Sequence, residues 1–481
     1  MKDWPHQARE FKRHREKKSR ALIWPMRSGK SKACIDKACW QHGKGAIEGV
    51  IIIAPNGVHI NWIQNEVPKW AWPENGRHVG FAWQTGRRAD NAQIDKWRAL
   101  LAHRGLKWFA INIEALEHHD NRKAVREFLK ACNRKFMMIV SEAHHFGRPG
   151  AKRTFRARSL ARHATFCTIE SGTPLLNSPL RAFSQYELLE KEALGFRTFT
   201  EFQARYATYE KQKRNSGRDY WKLAEYKNMD ELRSRLAPWS SVVLRSELHD
   251  MPALIRTERP VIMSEVQRRA YLTMVSHHLV EIEGTEVEAL DGGARVQKLQ
   301  QIINGYMMKD GCIVTVDPDA PIYWALKEQV DGTLPGKSLV WCRYREDIRR
   351  VVLFLQSHGY KNSILEYHGG VPQDQREPTR LAFQNNPRKL VQVGQPGAGG
   401  EGLDFSAADA VIYFSSIPDA IRIRQSEERA TVKGGKTVSI VRITTPGTVD
   451  DRNWAIVDSK ATLADSVSGR GLRDLLLATD V

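Results

Sequence analysis

Ala21-Leu22-Ile23-Trp24-Pro25-Met26-Arg27-Ser28-Gly29-Lys30-Ser31 joins a short apolar run to a helix-like pattern, Ala33, Cys34, Ile35, Ala38 and Cys39. A strand, a tight turn ending Gly-Lys-Ser and a helix make a cradle for a nucleoside triphosphate. Met26, Arg27 and Ser28 supply the turn, Gly29 lets the backbone approach the phosphates, and the helix-start N–H groups point at them. Lys30 is placed to reach the β and γ phosphates, and Ser31 offers a hydroxyl to Mg²⁺. The full pattern has a glycine where Trp24 stands, so a chance turn before a surface helix competes with this reading. The residues downstream decide between them.

The chain has 481 residues, 41% of them hydrophobic, enough for two or three domains with real cores. No apolar run approaches the roughly 20 residues of a membrane span. The opening Met1-Lys2-Asp3-Trp4-Pro5 lacks the apolar core of a secretion signal, so a cytoplasmic protein with no membrane partner is expected. The six cysteines show no C-x-x-C spacing and mostly lie in apolar runs, which predicts buried, reduced thiols. The His-His pairs at 118–119, 144–145 and 277–278 have no metal-motif context, and chance accounts for the first and last. The formal charge of +19 is spread along the chain, although residues 9–20 are dense in Lys and Arg. A surplus so distributed suits a long groove for a polyanion, most often nucleic acid, better than a basic arm.

Continuous apolar runs recur in the pattern of buried parallel strands. They are Gly49–Ala54 before Pro55, Val79–Trp83, Trp108–Ile113, Phe136–Val140 and Phe166–Glu170, with helical stretches such as 92–101 between them. The alternation predicts a doubly wound parallel sheet. Phe136–Val140 runs into Ser141-Glu142-Ala143-His144-His145. An acid at the carboxyl end of a strand beside a phosphate loop is where such sheets place metal and water chemistry. Ser171-Gly172-Thr173-Pro174 closes the next strand. Ser338–Cys342, Ile364–Tyr367, Leu390–Val393, Ala410–Phe414 and Val438–Ile443 predict a second parallel sheet, with helices over 346–357 and 376–385. Residues 180–240 read as mainly helical, with Phe196, Phe199, Phe202, Tyr206 and Tyr209 as helix core more than base-stacking platform. Residues 264–330 read as helical again, over 266–281 and 294–306.

Together these stretches resemble a superfamily-two helicase-type ATPase of the Swi/Snf group of DNA translocases. The motifs that carry the resemblance are Met26–Ser31, Ile52-Ile53-Ala54-Pro55 with Asn61, Trp62 and Glu66, Ile111–Glu114, Ser141–His144 and Ser171–Pro174. In the C-terminal half they are the glycine-rich Gly397-Ala398-Gly399-Gly400-Glu401-Gly402-Leu403-Asp404 with Ala407-Ala408-Asp409, and Gln425-Ser426-Glu427-Glu428-Arg429-Ala430-Thr431. The compact chain is most similar to phage-encoded members. The resemblance implies an α/β protein of two RecA-like doubly wound parallel-sheet lobes with helical insertions. Lobe one would span 1–179, a helical insertion and linker 180–260, and lobe two 261–481 with a helical insertion at 264–330.

It also implies an ATP-dependent motor on double-stranded DNA, with ATP and Mg²⁺ as cofactors. The lobes would sandwich ATP, with Gln7 at the adenine edge, Met26–Ser31 at the phosphates, Gly402 and Asp404 beside the nucleotide, and Ser31 and Glu142 at Mg²⁺. Glu142, with His144, would act on the attacking water. Gln425 and Arg429 would complete catalysis from the other lobe, Arg429 as an arginine finger worth about 10³–10⁵ in rate. DNA would be held through its phosphates, giving salt-sensitive binding with little sequence preference.

Two departures weaken the expected hydrolysis. The acid box opens with Ser141 where the family has aspartate, and a hydroxyl is a poorer partner for a hard cation than a carboxylate. Val432 stands where the family has a further arginine, and Lys433 points elsewhere on a helix. They keep open an alternative, an ATP-gated DNA clamp or recruitment factor whose hydrolysis has decayed. A small-molecule kinase is excluded, since it has no use for the second lobe.

Overall fold

A computed structural model describes residues 3–73, 78–84, 91–118, 121–213, 219–248, 251–277, 279–282, 285–288, 292–397, 404–432 and 434–479. They form two units. One takes the chain to Leu248 together with the segment from Ala461 onward, and the other takes the segment between.

The first unit is built on β1 (Ser19–Ile23), β2 (Gly49–Ala54), β3 (Val79–Ala82), β4 (Lys107–Asn112), β5 (Phe136–Ser141), β6 (Phe166–Glu170) and a short later strand, Ser240–Val242. Every residue of β1, β2, β4 and β5 is buried, which is why these strands read as unbroken apolar runs and not as alternating ones. The segment 180–260, expected to be a helical insertion and linker, is not mainly helical. After the short helices Ala182–Tyr186 and Phe199–Tyr206 it forms an antiparallel hairpin, β7 (Ala207–Lys213) with β8 (Asp219–Tyr226). Ser240–Val242, here β9, then pairs with β1, and β10 (Leu254–Pro260) belongs to the other unit's sheet. The first sheet is parallel, in the order β3-β4-β2-β5-β6-β1-β9. Of the aromatic residues expected as helix core, Phe202 and Tyr206 are fully buried and pack with Phe183 and Phe196, whereas Tyr209 lies on β7. Val467 and Leu472 join the same core, so the C-terminal residues expected in lobe two belong with the first unit.

After β10 the second unit opens with the helices Glu265–His277 and Gly292–Ile303, each followed by a hairpin. These are β11 (Leu279–Ile282) with β12 (Thr285–Glu288), and β13 (Tyr306–Lys309) with β14 (Cys312–Thr315). The all-helical reading of 264–330 is corrected accordingly, and Tyr306 opens a strand instead of ending a helix. β15 (Lys337–Trp341), β16 (Ile364–Tyr367), β17 (Val391–Gly394), β18 (Ala408–Tyr413) and β19 (Val438–Thr444) complete a parallel sheet ordered β10-β19-β18-β15-β17-β16. Five of the six cysteines are buried and all six are free, while Cys312 is exposed on its hairpin, against the expectation of burial. No helix among the described residues is long and apolar enough to cross a membrane.

Candidate functional site

In the first sheet β5, β6 and β1 are neighbours and all parallel, so the loops that follow them leave from one edge. The turn after β1 ends at Gly29, whose left-handed φ of +77° caps helix α2, Lys30–Gly43, when α1 is taken as Pro5–His14. A side chain at Gly29 would be strained, and its Cβ would fall 2.1 Å from the Gln7 amide. Ser28 Oγ donates to the Pro25 carbonyl at 2.7 Å, and the Lys30 ammonium donates to the Trp24 and Pro25 carbonyls, each at 3.0 Å. Met26, Arg27 and Ser31 are half-buried around it. Trp24, the departure from the glycine pattern, sends its ring into the core, where Nε1 donates to Ser241 Oγ at 3.0 Å, while its carbonyl stays on the turn.

Gln7 is not an exposed helix-start residue. It is buried on α1, accepts from the Trp4 N–H at 2.9 Å and donates to the Gly29 carbonyl at 3.1 Å. His6 beside it donates Nε2–H to the Ser28 carbonyl at 2.8 Å. Burial lowers the His6 pKa, against the opposing pull of that bond. Sequence reasoning missed His6, whose signal was its place next to Gln7.

At the end of β5, Glu142 takes a left-handed φ of 53°. His144 Nδ1 lies 3.2 Å from Glu142 Oε2 and 3.3 Å from Ser171 Oγ, and Ser171 donates to Glu142 at 3.4 Å. All three are buried. Ser171 thus ties the acid box to the segment after β6, and its oxygen also accepts from the Thr173 N–H at 3.1 Å. Gly172 brings that segment against the phosphate turn: a Cβ there would meet the Trp24 carbonyl at 3.4 Å. Sequence reasoning also missed Glu170, the last residue of β6, which accepts from Ser141 Oγ at 2.6 Å. Burial raises its pKa to about 7, while the Lys30 ammonium and the Ser141 bond pull it back down.

In the second unit, helix Ala420–Arg429 is capped by the Asp419 side chain, which accepts from the N–H groups of Ile421 and Arg422. Gln425 and Arg429, four residues apart, share one face and are both buried. Arg429 Nη1 donates to the Pro396 carbonyl at 3.2 Å, and the Arg429 carbonyl accepts from the Phe405 N–H at 3.0 Å. That bond brings Asp404, whose carboxylate accepts from the Ser406 N–H at 2.9 Å, alongside the helix end. Gly402 and most of the glycine-rich stretch lie outside the described residues, as does Lys433. Val432 is 37% exposed.

Residues 14–313 match the SNF2-related domain. The chain belongs to the SNF2-related family. Residues 323–432 of this SNF2-related chain match the helicase conserved C-terminal domain. The chain is 24% identical over 439 residues to the mouse (Mus musculus) DNA annealing helicase and endonuclease ZRANB3, covering 90% of this chain and 37% of that protein. It is 23% identical over 346 residues to the SWI/SNF-related matrix-associated actin-dependent regulator of chromatin subfamily A-like protein 1 of Drosophila melanogaster, covering 70% and 42%. It therefore spans well under half the length of these relatives. A solved Sulfolobus solfataricus SWI2/SNF2 ATPase core in complex with dsDNA aligns over 97% of this chain and 93% of its own, at 17% identity and a TM-score of 0.41.

The donor set in the first unit fits the Mg²⁺ that accompanies a bound nucleoside triphosphate. Ser31, Ser141, Glu142 and Glu170 offer oxygen, the hard ligand Mg²⁺ prefers, and the Lys30 charge acts on Glu170. Among the described residues no group of three or more His, Cys, Asp or Glu could hold a metal by itself.

Proposed function

We propose that this SNF2-related chain is an ATP-driven motor that translocates on double-stranded DNA. One observation carries the reading. The Gly29-Lys30-Ser31 turn, the Glu142–His144 pair and Ser171 follow three adjacent parallel strands and lie within hydrogen-bonding networks that touch one another. Lys30 would leave the Trp24 and Pro25 carbonyls for the β and γ phosphates, and the helix-start N–H groups of α2 would bind the same oxygens. Ser31 with the nearby carboxylates would hold Mg²⁺, which supplies charge neutralisation on the phosphates. Glu142 would orient the attacking water and take its proton, and His144, bonded to Glu142 and Ser171, would fix that carboxylate's direction. Gln7 is proposed to read the adenine edge. Its amide would have to release the Gly29 carbonyl to do so, linking base binding to the phosphate turn.

From the second unit, Arg429 is proposed to stabilise charge on the transferring phosphoryl group, with Gln425, Asp404 and Gly402 assisting at the nucleotide. The net charge of +19 supports a polyanionic track held through phosphates, with salt-sensitive binding of little sequence preference. The names of the relatives support DNA as that track. A phage-encoded setting rests on the resemblance to compact phage-encoded members alone. The alternative, an ATP-gated clamp, draws its support from Ser141 and Val432.

Displacement of a third strand from a DNA triplex separates the two. A motor ejects that strand with ATP and fails to do so as Lys30→Ala. ATP-dependent DNA binding with no displacement by the wild type would favour the clamp.

A further inference from the structure

Glu170 ends β6, the strand between the one that feeds the phosphate turn and the one that feeds the acid box. Its register partners are Leu22 on β1 and Ser141 on β5. Side chains at paired positions of a parallel sheet share a face, so the Glu170 carboxyl stands directly beside position 141. There the family resemblance implies an aspartate, and this chain has a serine. Ser141 Oγ donates to Glu170 Oε1 at 2.6 Å, while Oε2 receives a 4.0 Å contact from Cys34, a weak donor. Glu170 is 3% exposed. A carboxylate so placed is costly unless a cation or strong donors use it, and an apolar residue would end β6 without that cost. The carboxylate that leaves position 141 is found one strand away, on a side chain one methylene longer.

We propose that Glu170 replaces the acid-box aspartate as the carboxylate that orients the Mg²⁺ of the bound nucleotide, with Ser141 holding it in position. The proposal rests on the nucleotide reading of the Gly29-Lys30-Ser31 turn. Under it, Ser141 marks a relocated metal ligand and not a lost one, and one of the two supports for the clamp falls away.

The test is binding, not turnover. Fluorescent ADP is titrated against the full chain without metal, and Mn²⁺ is then titrated into the protein–ADP complex and followed by electron paramagnetic resonance. Glu170→Gln keeps the shape and the Ser141 bond, and its own metal-free ADP affinity serves as the reference for its metal titration. Mn²⁺ affinity falls about 10–100-fold, the range typical when a metal site loses a supporting carboxylate. Ser141→Asp/Glu170→Gln restores the aspartate pattern and recovers most of that affinity. Unchanged Mn²⁺ affinity in Glu170→Gln, no recovery in the double variant, or no effect of metal on wild-type ADP binding each overturns the proposal. Failure of wild type to bind ADP at all, matching Lys30→Ala, overturns the nucleotide reading itself.

Discussion

Each unit buries a serine–carboxylate pair of the same length. Ser141 donates to Glu170 at 2.6 Å in the first, and Ser416 donates to Asp450 at 2.6 Å in the second. Their surroundings differ. Ser416 Oγ also accepts from the Gln300 amide at 2.6 Å and from the Asn453 amide at 2.8 Å, so that hydroxyl is saturated by neutral donors within a closed network. Glu170 stands beside the phosphate turn, under the electrostatic influence of Lys30, with Glu142 on the neighbouring loop. Burial raises both carboxyl pKa values, Asp450 to about 6 and Glu170 to about 7. Burial and a short bond therefore do not identify a functional acid. The surroundings distinguish them: one pair is closed off by neutral donors, and the other lies under the influence of the Lys30 charge beside the phosphate turn.

The largest effect expected in a test of this contrast lies outside both pairs. If the second unit contributes to the chemistry through Arg429 and not through its buried acid, Arg429→Ala lowers kcat about 10³-fold or more while leaving ADP affinity nearly unchanged. Single-turnover hydrolysis measures it. A loss under tenfold would remove the second unit from the chemistry.

Next comes the exchange of roles between the pairs. Asp450→Ala strips the acceptor from a buried network and costs about 1–3 kcal/mol in denaturant unfolding, with no change in metal-dependent nucleotide binding. Glu170→Gln does the reverse, losing metal affinity at little cost in stability. If both variants move stability alone, the contrast collapses. Gly29→Ala combines a left-handed φ with a Cβ 2.1 Å from the Gln7 amide. It costs about 1–3 kcal/mol, and Gln7→Ala in the same chain relieves the clash but not the backbone strain.

A smaller effect concerns Val432. A sheet gives every residue lateral neighbours in register, so a group missing from β5 can be supplied from β6. Val432 lies past the end of its helix and has no such neighbour in register. Val432→Arg is thus expected to raise turnover about tenfold, a 1.4 kcal/mol effect on the barrier, while Ser141→Asp in the wild-type chain does not raise it. The opposite ranking would show Ser141 to be the true lesion.

The gentlest test is the pH dependence of the second unit, which leaves the sequence of the Ser416–Asp450 pair's neighbours unchanged and is spread over about two pH units. The folded Asp450 carboxyl titrates near 6, above its unfolded value of 3.8. Its contribution is fully present below pH 3.8 and is lost as pH rises through 6, amounting to at most about 3 kcal/mol. The stability difference between wild type and Asp450→Ala therefore grows as pH falls from 6 to 4. A difference flat across that window would contradict the assignment.

Most of this site is legible in sequence because its carriers are short and local. Gly29-Lys30-Ser31 announces a turn with its helix, and Glu142 follows an unbroken apolar strand. Glu170 also left a signal, a lone acid closing Phe166-Cys167-Thr168-Ile169. Its meaning needed the register that pairs it with Ser141, which no local pattern encodes. The hairpins failed for a different reason. β7 and β8 form a two-stranded ribbon that packs only in part on the core, so Glu210, Lys211, Lys213, Lys222 and Glu225 break the alternation that marks a half-buried strand. Gln7 was legible as a candidate, but its burial against Gly29 depended on how α1 packs on the turn.

ATP hydrolysis tests the central claim most directly, measured without nucleic acid, with double-stranded DNA, with single-stranded DNA and with RNA, alongside Lys30→Ala. A motor on duplex DNA predicts turnover stimulated by double-stranded DNA above the other conditions and abolished in Lys30→Ala. No turnover in any condition, with ATP and DNA still bound, would contradict it and leave a protein that kept the SNF2-related fold without its engine.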